Sequence, residues 1–215
     1  MTTPLDVRRH APATERNREP ILQVLLEVLP PSGTVLEIAG GTGQHAVYFA
    51  PRLQPRVWLP SDADPDARAS ISAWQAACPA ENLRPPLALD VREPVWPPEA
   101  LPAQDPPIAA IVAINMIHIA PWSACLGLMA GAARLLPPGG VLYLYGPYKQ
   151  DGQHTAPSNA AFDESLRTQN PEWGVRDLEE VVTAAGDRSL ALVNTYAMPA
   201  NNLSVVFRMD TDARP

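Results

Sequence analysis

Eleven residues, LEIAGGTGQHA from Leu36 to Ala46, constrain this chain more than any other part of its 215 residues. An apolar and β-branched run, about 34–39, stops at Gly40-Gly41-Thr42-Gly43, and a helical pattern opens behind it near 43–52. A strand that ends in glycines and feeds a helix lets a ligand approach bare backbone. The free N–H groups where the helix starts favour negative charge. Such a junction suits a phosphate, a carboxylate or a nucleoside. Gly41 to Ala46 also satisfies G-x-G-x-x-G/A, a dinucleotide pattern that is weak evidence alone.

The rest of the chain alternates between strand and helix patterns. Thr14 is placed to cap a helix reaching about Leu29, with Ile21, Leu22, Leu25, Leu26 and Leu29 on one stripe. A second strand, Arg56 to Ser61, ends at Asp62, and Pro65 suits the first turn of a helix to Ala77. A short third strand near Leu87 to Leu89 ends at Asp90. The run IAAIVAINMIHI (108–119) is the most apolar strand and therefore central. A helix near 121–136 precedes VLYLYG (141–146), and the polar segment 147–174 carries a short helix from Ser158. A helix at about 175–185 and two closely spaced strands, 189–196 and 203–208, finish the chain. The pattern predicts a doubly wound, Rossmann-like α/β fold, a mostly parallel seven-stranded sheet with a C-terminal antiparallel hairpin. It is read as one domain over 1–215, with an N-terminal arm and helix (1–30, irregular to about residue 13) and a substrate-side insertion (147–174).

Composition narrows the partners. A net charge of −7 with no run of Lys or Arg argues against nucleic acid, and Arg8-Arg9 reads as a solvated arm. The 26 prolines, including the proline-rich stretch 92–107, punctuate loops. Cys78 and Cys125 have neither disulfide nor metal-ligand spacing and read as two reduced buried thiols, so no metal is expected. Without a signal-like or membrane-spanning apolar stretch, the expectation is a cytoplasmic protein with no membrane partner, its oligomeric state left open.

Four features resemble class I methyltransferases, whose cofactor is S-adenosylmethionine (SAM). Glu37 precedes the glycines as in E/D-x-G-x-G-x-G; a whole helix precedes the first strand; LLPPGGVLYLYGP (135–147) is similar to their L-x-P-G-G-x-L; and the terminal hairpin is their usual edge. More narrowly, HAPATERNREPIL, LEIAGGTGQHAVYFA, NMIH, GPYK…HTAPSNAAFDESLR, NPEWGVRDLE and NNLSVVFR resemble an uncharacterised methyltransferase-like family. That family is the domain-of-unknown-function group that includes methyltransferase-like protein twenty-six. The resemblance implies a fold and a cofactor without naming a substrate. One departure is Ala39 where the first glycine stands, tolerable if its φ is negative; Ala110 also replaces a frequent Asp.

The resemblance implies a cofactor site of Glu37, Ala39, Gly41, Thr42, Gly43, Asp62, Asp90, Val91 and Asn115. Gly41 and Gly43 pass their backbone beside the methionine part, leaving no space for a side chain. Glu37 acts indirectly, through the loop or through water. Asp62 accepts the ribose hydroxyls, Asp90 takes the adenine amino group beside Val91, and Asn115 meets the cofactor by side chain or carbonyl. Polar segments 10–18 and 146–159 border the open face, which makes His10, Arg16, Asn17 and Lys149 substrate candidates. His118, Tyr148 and His154 are the candidate catalytic groups, although His118 reads equally as a buried, hydrogen-bonded histidine. The expected activity is methyl transfer to a small polar or anionic acceptor. A catalytically silent SAM-binding protein and an NAD-dependent oxidoreductase are the alternatives, since Asp62 suits a ribose in each.

Overall fold

Short apolar runs bounded by glycine and proline become strands, and the longer amphipathic stretches between them become helices. The computed structural model describes residues 6–100 and 105–211. Its strands are β1 (Thr34–Ile38), β2 (Val57–Asp62), β3 (Leu87–Ala88), β4 (Ile108–Ile114), β5 (Val141–Gly146), β6 (Lys149–Gln150), β7 (Gln153–His154), β8 (Leu190–Met198) and β9 (Asn202–Met209). The helices are α1 (Pro12–Val28), α2 (Gln44–Phe49), α3 (Pro65–Ala77), α4 (Pro97–Ala100), α5 (Trp122–Leu135), α6 (Pro157–Gln169) and α7 (Leu178–Gly186).

The main sheet runs β3-β2-β1-β4-β5-β9-β8, parallel except where β9 pairs with β5 and β8. This is the doubly wound seven-stranded sheet with a C-terminal antiparallel pair that the pattern predicted. Every residue of β1 and β5 is buried, as parallel strands covered on both faces require. Alternate side chains feed two cores. Leu36, Ile38, Ile111, Ala113, Leu142 and Leu144 pack toward α5 and α7; Val35, Ala110, Val112 and Tyr143 pack toward α1 and α2. The chain crosses from β3 to β4 and reverses strand order between β1 and β4. Ligands of such sheets bind above the C-terminal ends at that switch.

Several local expectations need correction. α1 starts at Pro12 behind an Ala11 N-cap, so Thr14 is no cap but a buried first-turn residue; proline's missing N–H costs nothing there. α2 is only six residues long, followed by a 3-10 turn, Ala50–Arg52. The apolar run 108–119 is strand only to Ile114. Asn115 adopts a left-handed φ of 59°, and Met116–His118 form a 3-10 turn. Segment 147–174 holds the β6–β7 hairpin and a 13-residue α6 rather than a short helix. Within 92–107 a single helical turn, α4, forms; residues 101–104 of that stretch and 1–5 of the arm lie outside the described residues. Cys125 is buried in α5, but Cys78, at the C-cap of α3, is exposed rather than buried.

Candidate functional site

The loop after β1 is built from left-handed residues. Ala39, Gly41 and Gly43 have φ of 54°, 58° and 89°. The condition of a negative φ at Ala39 is not met, and its methyl is held in a conformation costing about 1–2 kcal/mol. The two glycines are needed for different reasons. A Cβ at Gly43 would lie 2.7 Å from the Ile71 Cα, so α3 and the loop touch backbone to backbone. At Gly41 the nearest atom to such a Cβ is 3.9 Å away, so space is available and the positive φ alone demands glycine.

Asp62, the last residue of β2, locks this loop. Its Oδ2 accepts the Gly41 N–H and its Oδ1 accepts the Asp64 N–H, both at 2.9 Å. A carboxylate has about four lone-pair sites, so each oxygen keeps one for another donor. Asp64 then caps α3 by accepting the Asp66 N–H at 2.9 Å. Ser61 donates its hydroxyl to the Glu37 carbonyl at 2.7 Å, and its own carbonyl accepts the Gly40 N–H at 2.9 Å. Thr42 Oγ1 accepts the Gln44 N–H at 3.3 Å.

Glu37 lies beneath the loop, 2% exposed, with Oε2 accepting the Trp58 Nε1–H at 2.8 Å. Burial pushes its carboxyl up to about 7, opposed by the Trp58 hydrogen bond and reinforced by the nearby charge of Asp62. Asp90 is held by Arg92, whose guanidinium and backbone N–H bind it at 2.6 to 3.2 Å. The hydrogen bond from Arg92 keeps that carboxyl below its ordinary range. Val91 is buried, and its carbonyl accepts the Trp96 Nε1–H at 3.3 Å. Asn115, at the tip of β4, donates its N–H to the Tyr145 carbonyl at 2.7 Å.

The groups assigned to catalysis and substrate are less accessible than their polarity implied. His118 is fully buried; its Nδ1 accepts the Arg176 N–H at 3.3 Å, and its Nε2 has no partner among the described residues. Burial pushes its imidazole down to about 3. Tyr148, 1% exposed, packs edge-on against that ring at 5.0 Å with an unpartnered hydroxyl. Both rings are buried, Tyr148 within the α5–α7 core. Asn17 is also buried, its Oδ1 bonded to His45 Nε2 at 2.9 Å. Lys149 and His154 both reach Asp163, at 3.5 and 3.3 Å, so the lysine charge is already shared. Arg167 and the Val175 N–H complete the ring around that buried carboxylate, at 3.2 and 2.7 Å. His10 is exposed and packs edge-on against Trp74; Arg16 is exposed without a partner among the described residues.

The first segment is not a free arm. Arg9 bonds Asp64 and Asp66 at 3.1 and 3.4 Å, and Arg8 bonds Asp6 at 2.7 Å. Sequence reasoning passed over Trp58, Ser61, Ser70, His45 and Asp163; only Gln44 and His45 carried a signal, as the variable positions of the glycine motif. Among the described residues no three His, Cys, Asp or Glu side chains gather to hold a metal ion, and no helix is long and apolar enough to cross a membrane.

Solved structures share this fold. An O-methyltransferase family protein from Burkholderia thailandensis is similar over 94% of this chain and 58% of its own, with a TM-score of 0.75 and 16% identity. Human N-acetylserotonin methyltransferase, solved in complex with SAM, is similar over 93% of this chain and 53% of its own, with a TM-score of 0.74 and 14% identity. An O-methyltransferase family 2 protein from Planctomyces limnophilus, in complex with apigenin, is similar over 89% of this chain and 61% of its own, with a TM-score of 0.68 and 19% identity. The fold is that of the class I methyltransferases, and the chain spans between half and two thirds of the length of these three structures. Residues 8–209 match the family described as "Protein of unknown function (DUF938)", and the chain belongs to that family.

Proposed function

We propose that this protein binds SAM and transfers its methyl group to a small, polar or anionic acceptor. The observation that carries the reading is Asp62: a carboxylate at the tip of β2, pinned by two backbone N–H groups beside a left-handed glycine loop at the switch point. The open space at Gly41 and the spare lone pairs of Asp62 fit an adenosyl ligand. Asp62 would hold the ribose hydroxyls, with Ala39, Gly41, Thr42 and Gly43 lending backbone to the amino-acid part. Asp90 and Val91 border the adenine, Asn115 lines the β4 side, and Glu37 supports the loop from below. When bound, the cofactor supplies a methyl on a sulfonium. The task of the chain is then alignment and exclusion of water, worth about 7–11 kcal/mol of a barrier. His10 on the arm and Arg16 on the first turns of α1 are both exposed, and Arg16, unpaired among the described residues, supports an acceptor carrying negative charge. His118 and Tyr148 are buried, and His154 pairs with Asp163 through Nε2 while its Nδ1 is buried, so His10 is the exposed histidine able to take a proton from an acceptor.

Melting curves with S-adenosylhomocysteine, SAM and NAD, on the protein and on Gly41→Asp, test the reading. A ligand at a hundredfold its Kd adds about 2.7 kcal/mol, a visible shift. Stabilisation by the two adenosyl sulfur compounds, absent in the variant, is expected. Stabilisation by NAD alone overturns the reading in favour of an oxidoreductase. Tight SAM binding without label transfer to any compound in a metabolite extract favours the silent alternative, which the burial of His118 and Tyr148 keeps in view.

A further inference from the structure

Two side chains outside the roles above tie the N-terminal arm to the glycine loop. Ser70, on α3, is fully buried. Its hydroxyl donates to the Thr42 carbonyl at 2.7 Å and accepts the Arg9 N–H at 2.8 Å, so one oxygen joins loop to arm. Gln44, 4% exposed and the first residue after the loop, accepts the Ala11 N–H on its Oε1 at 2.7 Å. The arm is therefore gripped on both sides of His10, from either side of Gly43.

Polar bonds, not burial, set the course of this stretch. Arg9 and His10 are exposed, and Ala11 is half-buried. The remaining anchors are polar or aromatic: the Arg9 carbonyl accepts the Trp74 Nε1–H at 2.9 Å, and Arg9 reaches Asp64 and Asp66. Further on, Asn17 holds His45, the residue after Gln44. A segment with few apolar contacts opens at low free energy unless such bonds hold it. One anchor, Thr42, belongs to the loop a ligand would order, and another, Gln44, follows that loop directly.

We propose that Ser70 and Gln44 are positioning residues that transmit the state of the glycine loop to the arm, so that seating an adenosyl ligand also fixes His10 and Arg16 at the acceptor side. This rests on the cofactor reading above. Coupling of this kind is reciprocal: an acceptor that fixes the arm tightens the cofactor by the same factor.

Hydrogen exchange of the full chain with and without S-adenosylhomocysteine tests it, because the Arg9 and Ala11 amides are themselves the donors. In the wild type, amides of the loop (39–45) and of the arm (8–14) are expected to gain protection together. In Ser70→Ala/Gln44→Met the loop gain persists, the arm gain disappears, and the Kd for S-adenosylhomocysteine rises by the factor through which loop and arm are coupled. Loop protection without arm protection in the wild type, or joint protection surviving in the double variant, overturns the coupling while leaving the cofactor reading intact. Failure of the wild type to bind S-adenosylhomocysteine overturns the cofactor reading itself. If the double variant does not fold, the wild-type exchange pattern and Gln44→Met alone decide.

Discussion

Glu37 makes the stability of this protein depend on pH in an unusual direction. Its carboxyl is raised from 4.5 to about 7, chiefly by burial beneath the glycine loop. At 1.36 kcal/mol per unit, that rise corresponds to about 3 kcal/mol. Between pH 4.5 and about 7 the folded protein holds a proton that the unfolded chain has released. The Glu37 contribution to stability is therefore largest in acid and declines as pH rises through that window. Glu37→Gln removes the titration and keeps an oxygen to accept the Trp58 N–H. Urea unfolding of both proteins at pH 5 and pH 8.5 measures the effect. The variant should gain about 3 kcal/mol relative to the wild type on going from the lower to the higher pH. A variant-minus-wild-type difference that is the same at both values, or larger in acid, would refute the reasoning. A cation seated above the loop should also favour ionised Glu37. Calorimetry of SAM binding near pH 6.5, in buffers of differing ionisation enthalpy, should then show proton release that Glu37→Gln lacks.

The histidines act in the opposite sense. Burial lowers His45 and His118 to about 3, so each contributes stability that is complete above about pH 6.5 and lost as pH falls toward 3; His118→Gln should flatten the acid limb of a stability–pH curve. Gly43→Ala, forced against Ile71 at a φ of 89°, should cost about 2–4 kcal/mol and abolish the S-adenosylhomocysteine melting shift. A Cβ at Gly146 would lie 2.4 Å from the His118 Nε2, so Gly146→Ala should destabilise strongly, and Gly146→Ala/His118→Ala by less than the sum of the single changes; strict additivity would show that the two do not share that space. Cys78 is exposed and should react at once with an aromatic disulfide at pH 8, while Cys125, buried and pushed up to about 12, should react only on unfolding.

What sequence could and could not reveal follows from the range of the interactions. The doubly wound sheet was legible because short strand patterns alternate with helical ones and the crossovers leave few topologies. The site frame was legible because Glu37, the glycines and Asp62 lie within one β-α-β unit, where spacing maps directly onto geometry. Asp64 capping α3 was likewise local, a matter of one residue ahead of Pro65. Accessibility was not local. His118 and Tyr148 stand at the mouth of the sheet in sequence, yet segment 170–177 closes over them, with the Gly174 N–H on the His118 carbonyl at 2.9 Å and Arg176 on Ile117 and Ala120. Lys149 and His154 looked free because Asp163, which pairs with both, comes fourteen and nine residues later on α6. Ser70 lies 61 residues from the arm it holds, a separation at which one serine in a helix carries no pattern.

Ala39 bends against its own preference so that the chain leaves β1 at the angle the loop requires. Asp62 and Ser61 hold that bend through the Gly41 and Gly40 N–H groups. The strain is met while the polypeptide folds, so an arriving ligand need not bend this residue itself. Ala39→Gly would release that strain: a sturdier protein, its grip on ligand nearly unchanged because Asp62 and Ser61 still hold the loop.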